Sequence, residues 1–360
     1  MSIKIVVLPG DGIGPEVSNA AQLVLDTISS KFNLNIQMEE KLMGGVSIDQ
    51  HGVALTDETL ADCINAKAVL LGAVGGPKWD NPNAKIRPEQ GLLTLRKEMG
   101  LFANLRPIKV YPQLHDASPL KNNLLNDVDI LVVRELTGGI YFGKPSERII
   151  SQNGTLSAVD SMIYNDFEIK RIVELACKLS ENRKSSVTSV DKANVLESSR
   201  LWRQIANNVF DVHPNIKSNH ILVDAAAMHL ISQPAKFDVI VTSNLFGDIL
   251  TDEASVLTGS MGNLPSASIG KNGPGLYEPI HGSAPDIAGK GIANPIGMIL
   301  STALLLRYSL DQEKAAMSIE KAVNLALEDG CRTVDLNDQK SLSTQEMTNE
   351  IIMRLESINI

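Results

Sequence analysis

Two carboxylates four residues apart are the first feature of this sequence that could do chemistry. Asp248 and Asp252 stand in the run Ser-Asn-Leu-Phe-Gly-Asp-Ile-Leu-Thr-Asp-Glu, residues 243–253, whose composition is compatible with a helix. Residues i and i+4 share one helical face, so these like charges would destabilise the helix by roughly 0.2–0.5 kcal/mol. A bound cation would reverse that effect. Because the run contains no Cys or His, it favours magnesium or manganese over zinc. The alternative is a solvated acidic face.

Three arginines beside apolar runs could bind an anion. Arg96 follows Leu-Leu-Thr-Leu, Arg106 follows Phe-Ala-Asn-Leu, and Arg134 follows Ile-Leu-Val-Val. Such neighbours predict that each guanidinium lies toward the interior, where it needs an anionic partner. Arginine binds a carboxylate or a phosphate through two parallel hydrogen bonds. Three together therefore favour an anionic substrate, and the alternative for any one of them is a structural ion pair with Glu98 or Glu135.

Three further polar side chains stand in a glycine-rich loop or at strand ends. Tyr141 lies in Leu-Thr-Gly-Gly-Ile-Tyr-Phe-Gly, residues 136–143, whose glycines let the backbone approach a ligand. Lys192 directly follows a predicted strand, where a lysine could act as a base. Asp224 ends the apolar run Ile-Leu-Val as a third carboxylate. Taken singly, the tyrosine is more simply a packing residue and the lysine an exposed one.

The elements that must position these residues follow an alternating pattern. Apolar β-branched runs at 3–8, 68–71, 130–133 and 237–241 alternate with helical patterns. This rhythm is typical of an α/β fold with a largely parallel sheet. Asp248 and Asp252 come just past the run at 237–241, and open α/β sheets bind ligands beyond the carboxyl ends of their strands.

Glycine and proline clusters mark the expected loops. They fall at 72–88, 138–145 and 259–295, and ordered loops of such length are usually functional. Helices at 295–308 and 314–328 are expected to close the chain. The loop at 9–16, Pro-Gly-Asp-Gly-Ile-Gly-Pro-Glu, follows a strand, but its spacing differs from the G-x-G-x-x-G dinucleotide fingerprint. A tight turn into a helix and a ligand-facing loop remain equally open for it.

Composition limits the class of protein. The 360 residues suggest about two domains. The net charge of −9 and the scarcity of aromatic residues argue against nucleic-acid and anionic-membrane surfaces. Three widely separated cysteines suit reduced thiols. The N-terminal residues enter a strand pattern without a charged leader, and no apolar run approaches ~18 residues, so a cytoplasmic, soluble protein is expected.

Six segments together resemble one enzyme family. They are residues 10–16, 101–107, 135–143, 189–196, 244–253 and 281–295. With these segments the whole chain resembles the β-decarboxylating dehydrogenases, which act on isopropylmalate, isocitrate, homoisocitrate or tartrate. The resemblance implies an isopropylmalate/isocitrate dehydrogenase-like α/β fold with a mixed sheet, distinct from the Rossmann fold. It also implies a first domain of residues 1–101 and 259–360, a second of 102–258, and an active site in the cleft between them.

The resemblance implies a role for each candidate residue. Arg96, Arg106 and Arg134 would bind the malate carboxylate. Asp248 and Asp252 would hold Mg²⁺ or Mn²⁺ together with Asp224 from the partner subunit of a homodimer. Lys192, also from the partner, would take the hydroxyl proton, and Tyr141 would protonate the product.

The same resemblance assigns the cofactor and the substrate pocket. NAD would contact Gly76, Glu89, Asn194, His281, Gly282, Ser283, Ala284, Pro285, Asp286, Ile287 and Asn294. Leu92, Leu93 and Val195 would form an apolar wall for an isopropyl group. The carboxylate of Asp286, followed by an isoleucine and no cation, would exclude the 2′-phosphate of NADP.

The activity implied is NAD-dependent oxidation and decarboxylation of 3-isopropylmalate to 2-oxoisocaproate and CO₂, in leucine biosynthesis. A divalent cation would stabilise, as a Lewis acid, the charge that develops when the carboxylate is lost. Two alternatives stay open. One is a sister dehydrogenase acting on isocitrate, homoisocitrate or tartrate, and the other is a catalytically silent regulatory relative.

Overall fold

The computed structural model describes residues 2–81, 84–337 and 339–359. Up to residue 180 the elements are β1 (Ile3–Gly10), α1 (Gly14–Lys31), β2 (Ile36–Glu40), α2 (Gly45–His51), α3 (Asp57–Asn65), β3 (Ala68–Ala73), α4 (Pro88–Glu98), β4 (Leu101–Lys109), α5 (Asn122–Leu125), β5 (Asp129–Glu135), β6 (Ser146–Ile150), β7 (Leu156–Asp160) and α6 (Asp166–Ser180). Beyond it they are β8 (Ser186–Asp191), α7 (Glu197–Asp211), β9 (Lys217–Leu222), α8 (Val223–Ser232), β10 (Val239–Thr242), α9 (Asn244–Ser255), β11 (Pro265–Gly270), β12 (Gly275–Pro279), α10 (Ile296–Tyr308), α11 (Glu313–Glu328) and α12 (Thr344–Ser357).

The chain divides into two compact units. The first contains the described residues of Met1–Leu101, Val110–Asn122 and Ser255–Ile360, and the second contains Phe102–Lys109 and Asn123–Ala254. No helix within the described part of the chain is long and apolar enough to cross a membrane.

The first unit is built on strands in the order β2-β1-β3-β12-β11. β1, β2, β3 and β12 run parallel, and β11 pairs with β12 in the antiparallel direction. Residues Ile5 to Leu8 of β1 are fully buried, because a parallel strand covered on both faces needs a continuous apolar run. Helices α1, α10, α11 and α12 pack against one another in this unit.

The second unit is built on strands in the order β4-β5-β10-β8-β9. β4 is antiparallel to β5, and the other neighbours are parallel. Helix α6 packs on β5, β10 and β8. Because parallel strands end at one edge, the carboxyl ends of β5, β8 and β10 bring Arg134, Lys192 and the start of α9 to that edge. The predicted α/β class with a mixed sheet is confirmed.

A two-stranded hairpin of β6 and β7 forms a separate sheet of the second unit. Ser146 pairs with Asp160 and Ile150 with Leu156 in antiparallel register. The side chains of Ile150 and Leu156 are 73% and 63% exposed, an unusual place for branched apolar residues. This hairpin lies within residues 144–164.

Three predictions about elements were wrong. The chain does not close with α11, because Ser343 and Glu346 form a capping box that starts α12. The stretch 259–295 is not one loop, since it contains β11 and β12, whose buried residues pack in the first unit. Asp224 does not end a strand but lies in the first turn of α8, because β9 ends at Leu222.

Candidate active site

The predicted carboxylate pair lies on α9, and this helix begins two residues after the last residue of β10. The side chains of Asp248 and Asp252 are 34% and 58% exposed. One guanidinium faces both of them: in Arg106, Nη2 is 3.5 Å from Oδ1 of Asp248, and Nη1 is 3.8 Å from Oδ1 of Asp252. Partial burial raises the pKa of Asp252, and the charge of Asp248 acts in the same direction, whereas Arg106 opposes it. The pair therefore lies beside the Arg106 guanidinium on a partly exposed helix face.

Arg134 is the most deeply buried of the three arginines, at 2% exposed. Its Nε and Nη2 donate to Oδ1 of Asn244 at 3.2 and 2.9 Å, and its Nη1 donates to Asp248. The aliphatic part of this side chain lies against Gly247, where a Cβ would come within 2.7 Å of Arg134 Cγ. The glycine before Asp248 thus makes room for the arginine that binds it.

Arg106 is 7% exposed on β4 and is held by two neighbours. Its Nε donates to Oδ1 of Asn104 at 2.7 Å, and its Nη1 donates to the Thr251 hydroxyl. These bonds orient the guanidinium toward the carboxylates of α9. The prediction that arginines beside apolar runs are drawn into the interior is confirmed for all three, since Arg96 is 8% exposed.

Tyr141 reaches the same carboxylate from the glycine-rich turn after β5. Its hydroxyl donates to Oδ2 of Asp248 at 2.6 Å. Burial first, and then this hydrogen bond, raises the pKa of Tyr141 to about 12, so the phenol keeps its proton at neutral pH. Glu135 stabilises the turn, because its carboxylate accepts from the backbone N–H groups of Thr137 and Gly138 at 2.9 and 2.8 Å. The structure thus brings together Arg106, Arg134, Tyr141, Asp248 and Asp252.

Lys192 and Asp224 form a second, separate pair in the same unit. Lys192 Nζ lies 2.9 Å from Asp224 Oδ1, and this contact holds the pKa of Asp224 below its ordinary value. Asp191 fixes the turn that carries Lys192, since its carboxylate accepts from the Ala193 N–H and from Arg203. Within the residues that the structure describes, no three metal-ligating side chains gather into one group. Asp224 therefore does not join the α9 carboxylates within a single chain.

Arg96 and the pocket leucines belong to the first unit, on α4. Arg96 Nη2 donates to Oε1 of Glu278 at 2.6 Å, a partner 182 residues away that differs from either glutamate proposed from the sequence. Within the described part of the chain, the Nε of Arg96 is buried without a hydrogen-bond partner. Leu92 is partly buried and packs on the apolar core of this unit, and Leu93 is also partly buried. Arg96 therefore has one buried N–H donor that the described residues leave unsatisfied.

The residues assigned to NAD differ widely in accessibility. Those with exposed side chains or backbone are Glu89, Asn194, Gly282, Pro285 and Asp286. Val195, which the sequence predicts to line the substrate pocket, is 61% exposed. Gly76, Ala284 and Ile287 are half-buried.

Three of the cofactor candidates are engaged within the protein. Ser283 is 8% exposed, and its carbonyl accepts from Ile13 N–H at 2.8 Å. Asn294 donates to Asn263 and Asp335 and accepts from Ile296 N–H, so its side chain stabilises the start of α10. His281 donates from Nδ1 to the Gly282 carbonyl, and burial lowers its pKa. Its Nε2 is buried and has no partner among the residues that the structure describes.

The loop at 9–16 is a tight turn into a helix. The Asp11 carboxylate, 2% exposed, accepts from the N–H groups of Gly45, Val46 and Gly75 at 2.8, 2.9 and 2.8 Å. Gly12 has φ +59°, and a Cβ there would lie 2.0 Å from the Ser283 carbonyl oxygen. Asp11 therefore joins three segments of the first unit, which favours the structural alternative for this loop.

Several residues of the site were not predicted from the sequence. Asn104, Asn244, Thr251 and Glu278 all bind one of the three arginines. The spacing of Asn104 from Arg106, two residues on one strand face, is the single local signal among them. The other partners are 110 to 182 residues distant from their arginine.

The α9 carboxylates fit a hard divalent cation. Both supply oxygen ligands from one face of one helix, and Asp252 is more than half exposed. Arg106 and Arg134 at present supply the positive charge beside them. Two carboxylates are fewer oxygen ligands than Mg²⁺ takes, so water, substrate or a third carboxylate must complete such a site.

Comparison with known proteins is consistent over the full length of the chain. Residues 4–351 match the family model described as isocitrate/isopropylmalate dehydrogenase. The 3-isopropylmalate dehydrogenase of Anaeromyxobacter dehalogenans is 62% identical over 355 residues, which are 99% of this chain and 100% of that protein. The 3-isopropylmalate dehydrogenase of Bacillus subtilis is 54% identical over 360 residues, 100% of this chain and 99% of that protein.

Solved structures give the same result for the fold. An isocitrate dehydrogenase from Methylococcus capsulatus has a TM-score of 0.87 and 33% identity, over 98% of this chain and 99% of that one. A β-decarboxylating dehydrogenase from Thermococcus kodakarensis, in its apo form, has a TM-score of 0.78 and 35% identity over 99% and 96% of the two chains. The resemblance noted from the sequence is confirmed, and the chain belongs to the isocitrate/isopropylmalate dehydrogenase family.

Proposed function

We propose that this chain catalyses the NAD-dependent oxidative decarboxylation of 3-isopropylmalate to 2-oxoisocaproate and CO₂, in leucine biosynthesis. The observation that carries the proposal is the convergence of two buried arginines and a protonated tyrosine on the α9 carboxylates. Full-length identity of 62% to a 3-isopropylmalate dehydrogenase supports the choice of substrate.

Asp248 and Asp252 would hold Mg²⁺ or Mn²⁺, with Asp224 of the partner subunit as a third carboxylate. Among the described residues of a single chain, these three carboxylates do not form one group. Their separation supports a site shared between the subunits of a homodimer. The exposed apolar residues of the β6–β7 hairpin, Ile150 and Leu156, support the same assembly, because burial against a second copy would remove them from water.

When bound, the cation supplies Lewis acidity toward the substrate oxygens and NAD accepts the hydride. Arg106 and Arg134 would bind and orient the malate carboxylate, since both guanidinium groups are held rigidly by amide and hydroxyl partners. Arg96 would bind the same carboxylate as the third arginine.

Two side chains would move protons. Lys192 Nζ would accept the hydroxyl proton of the substrate as it is oxidised. Within a single chain the Lys192 ammonium is paired with Asp224. Its role as a proton acceptor therefore requires that Lys192 contact a different partner. Tyr141 would donate its proton to the carbon that loses CO₂, and its raised pKa keeps that proton available at neutral pH.

The remaining assignments concern the cofactor and the pocket. Residues 282–287 with Gly76, Glu89, Asn194, His281 and Asn294 would bind NAD, with Asp286 facing the ribose hydroxyls. Leu92, Leu93 and Val195 would contact the isopropyl group. Burying three branched carbons is worth roughly 2–2.5 kcal/mol, at ~0.8 kcal/mol each, whereas an unpaired carboxylate of isocitrate in the same place would cost several kcal/mol more.

The test is NADH formation with 3-isopropylmalate, isocitrate and tartrate side by side, in the presence of Mg²⁺. We expect 3-isopropylmalate to be favoured over isocitrate by at least about a thousandfold in kcat/KM. Leu92→Ser should narrow that gap mainly by weakening use of the isopropyl substrate. Because Leu92 also packs on the core, Leu93→Ser is made beside it as a second variant of the pocket. Equal turnover of isocitrate by the wild-type enzyme would overturn the substrate assignment. Inactivity with all three would favour a silent relative.

A further inference from the structure

Asn244, the first residue of α9, has hydrogen-bond partners for both polar atoms of its side chain. Oδ1 accepts from Nε and Nη2 of Arg134 at 3.2 and 2.9 Å, and Nδ2 donates to the Gly138 carbonyl at 3.2 Å. Its backbone N–H donates to the Tyr164 hydroxyl oxygen at 2.8 Å. The residue is 1% exposed, so these bonds are shielded from water and costly to leave unmade.

The surroundings require an amide at this position. A guanidinium can only donate and a backbone carbonyl can only accept. The side chain between Arg134 and Gly138 must therefore accept on one side and donate on the other. Aspartate would bind Arg134 but would turn an oxygen toward the Gly138 carbonyl, and an apolar residue would satisfy neither group.

These bonds belong to a closed circuit around the site. Arg134 donates to Oδ1 of Asp248, and the Tyr141 hydroxyl donates to Oδ2 of the same carboxylate. The guanidinium carbon of Arg134 lies 5.8 Å from the centre of the Tyr141 ring. The circuit closes at Gly138, three residues before Tyr141, because its carbonyl accepts from Asn244 Nδ2. The circuit thus has two junctions, one at Asp248 and one at Asn244.

We propose that Asn244 is a positioning residue that holds Arg134 and the Tyr141 loop in one fixed arrangement. The inference rests on the proposed function, in which Asp248 is a ligand of the cation. A cation held by Asp248 would compete with the arginine and the tyrosine for that carboxylate. The bonds of Asn244 do not involve Asp248, so they keep the carboxylate-binding group and the proton donor aligned during turnover.

A double-mutant cycle between Asn244→Ala and Tyr141→Phe tests this proposal. The readout is the single-turnover rate of 2-oxoisocaproate formation from 3-isopropylmalate with NAD and Mg²⁺, beside the thermal midpoint of each variant. We expect Asn244→Ala to lower the rate ~10- to 100-fold in the wild-type background, as misplacement of a reacting group does. In the Tyr141→Phe background the loss should be at least ~3-fold smaller, because the tyrosine has already gone and only the positioning of Arg134 remains to be lost. Asn208→Ala, at an exposed amide on α7, is the matched control and should leave the rate unchanged.

Each other outcome has a distinct meaning. Equal losses in both backgrounds would show that Asn244 does not position Tyr141 and would overturn the inference, while the role of Tyr141 stands. A wild-type rate for Tyr141→Phe alone would overturn the proposed role of the tyrosine and the inference with it. Should Asn244→Ala fail to fold, Asn244→Asp keeps the acceptor for Arg134 but turns a charged oxygen toward the Gly138 carbonyl. The same non-additivity with Tyr141→Phe is expected from it.

Discussion

Asp11 and Asp248 are two aspartates near strand ends whose surroundings differ in kind. Asp11 is 2% exposed, and the three N–H groups that it accepts from belong to the backbone. Asp248 is 34% exposed in its side chain, and its described partners are the side chains of Arg106, Arg134 and Tyr141. Backbone donors are fixed by the fold, whereas side chains can rotate to other partners.

The difference separates a structural carboxylate from one that can change ligands. Displacing Asp11 would leave three buried amides unpaired, so nothing that binds there could compensate. Displacing the partners of Asp248 releases two guanidinium groups and a phenol, which are suitable donors for an anionic substrate. The present ion pairs join the arginines to the α9 carboxylates. A bound cation at the carboxylates and an anionic substrate at the arginines would replace them with two new sets of ion pairs.

The largest expected effect is on turnover in Asp248→Asn. Losing a cation ligand should lower kcat/KM at least ~10³-fold, while the thermal midpoint changes little because the amide oxygen still accepts from Arg134. Activity assays and thermal unfolding of the same preparation check this. Undiminished activity, or activity that survives chelation of divalent metal in the wild-type enzyme, would rule out a cation site on α9.

Asp11→Ala should show the opposite pattern. We expect the free energy of unfolding to fall by about 3 kcal/mol, because three buried backbone donors lose their acceptor. Denaturant unfolding measures this free energy. We expect kcat per folded molecule to stay near the wild-type value. Asp211→Ala, at an exposed position, is the control and should stay within about 0.5 kcal/mol. A stable Asp11→Ala protein that had lost turnover would make Asp11 a functional residue.

Tyr141→Phe and Lys192→Met should separate the two halves of the reaction. Tyr141→Phe should slow product formation ~10²-fold while a burst of NADH persists, whereas Lys192→Met should suppress the oxidation that produces NADH. Rapid-mixing absorbance at the NADH band distinguishes them. Bursts of equal, full size from both variants would contradict the assigned roles.

Asp252→Asn should give the smallest effect on stability, and one that depends on pH. Because burial raises the pKa of Asp252 in the folded chain, its ionised form opposes folding. The wild-type protein should therefore be slightly less stable than Asp252→Asn at neutral pH, and the difference should vanish as the pH falls and the carboxyl is protonated in both states. Thermal midpoints across that range test the sign, and a wild-type advantage at neutral pH would reverse it.

The sequence predicted the elements well where local pattern decides them. The apolar runs of β1, β3, β5 and β10 and the helix that carries Asp248 and Asp252 were all identified. The arginines were correctly expected to be buried. The strands β11 and β12 were missed because glycine and proline at their ends outweighed short apolar runs, and α12 was missed although its Ser343–Glu346 capping box was readable.

What could not be predicted was the identity of partners distant in sequence. Arg96 meets Glu278 across 182 residues, and Asn244 meets Arg134 across 110. Nothing local marks either pairing, because both depend on how the sheet orders its strands. The three amides that bind Asp11 were likewise hidden, since every residue except proline has a backbone N–H and only the fold determines which ones converge.

Titration calorimetry of Mn²⁺ binding tests the contrast between Asp11 and the α9 carboxylates most directly. It compares the wild-type protein with Asp252→Asn and Asp11→Asn at a temperature where all three are folded. If the α9 carboxylates hold the cation and Asp11 holds the fold, the wild-type protein and Asp11→Asn should bind Mn²⁺ with similar affinity, and Asp252→Asn should bind it at least ~10-fold more weakly. Equal affinity in Asp252→Asn, or loss of binding in Asp11→Asn, would contradict the account.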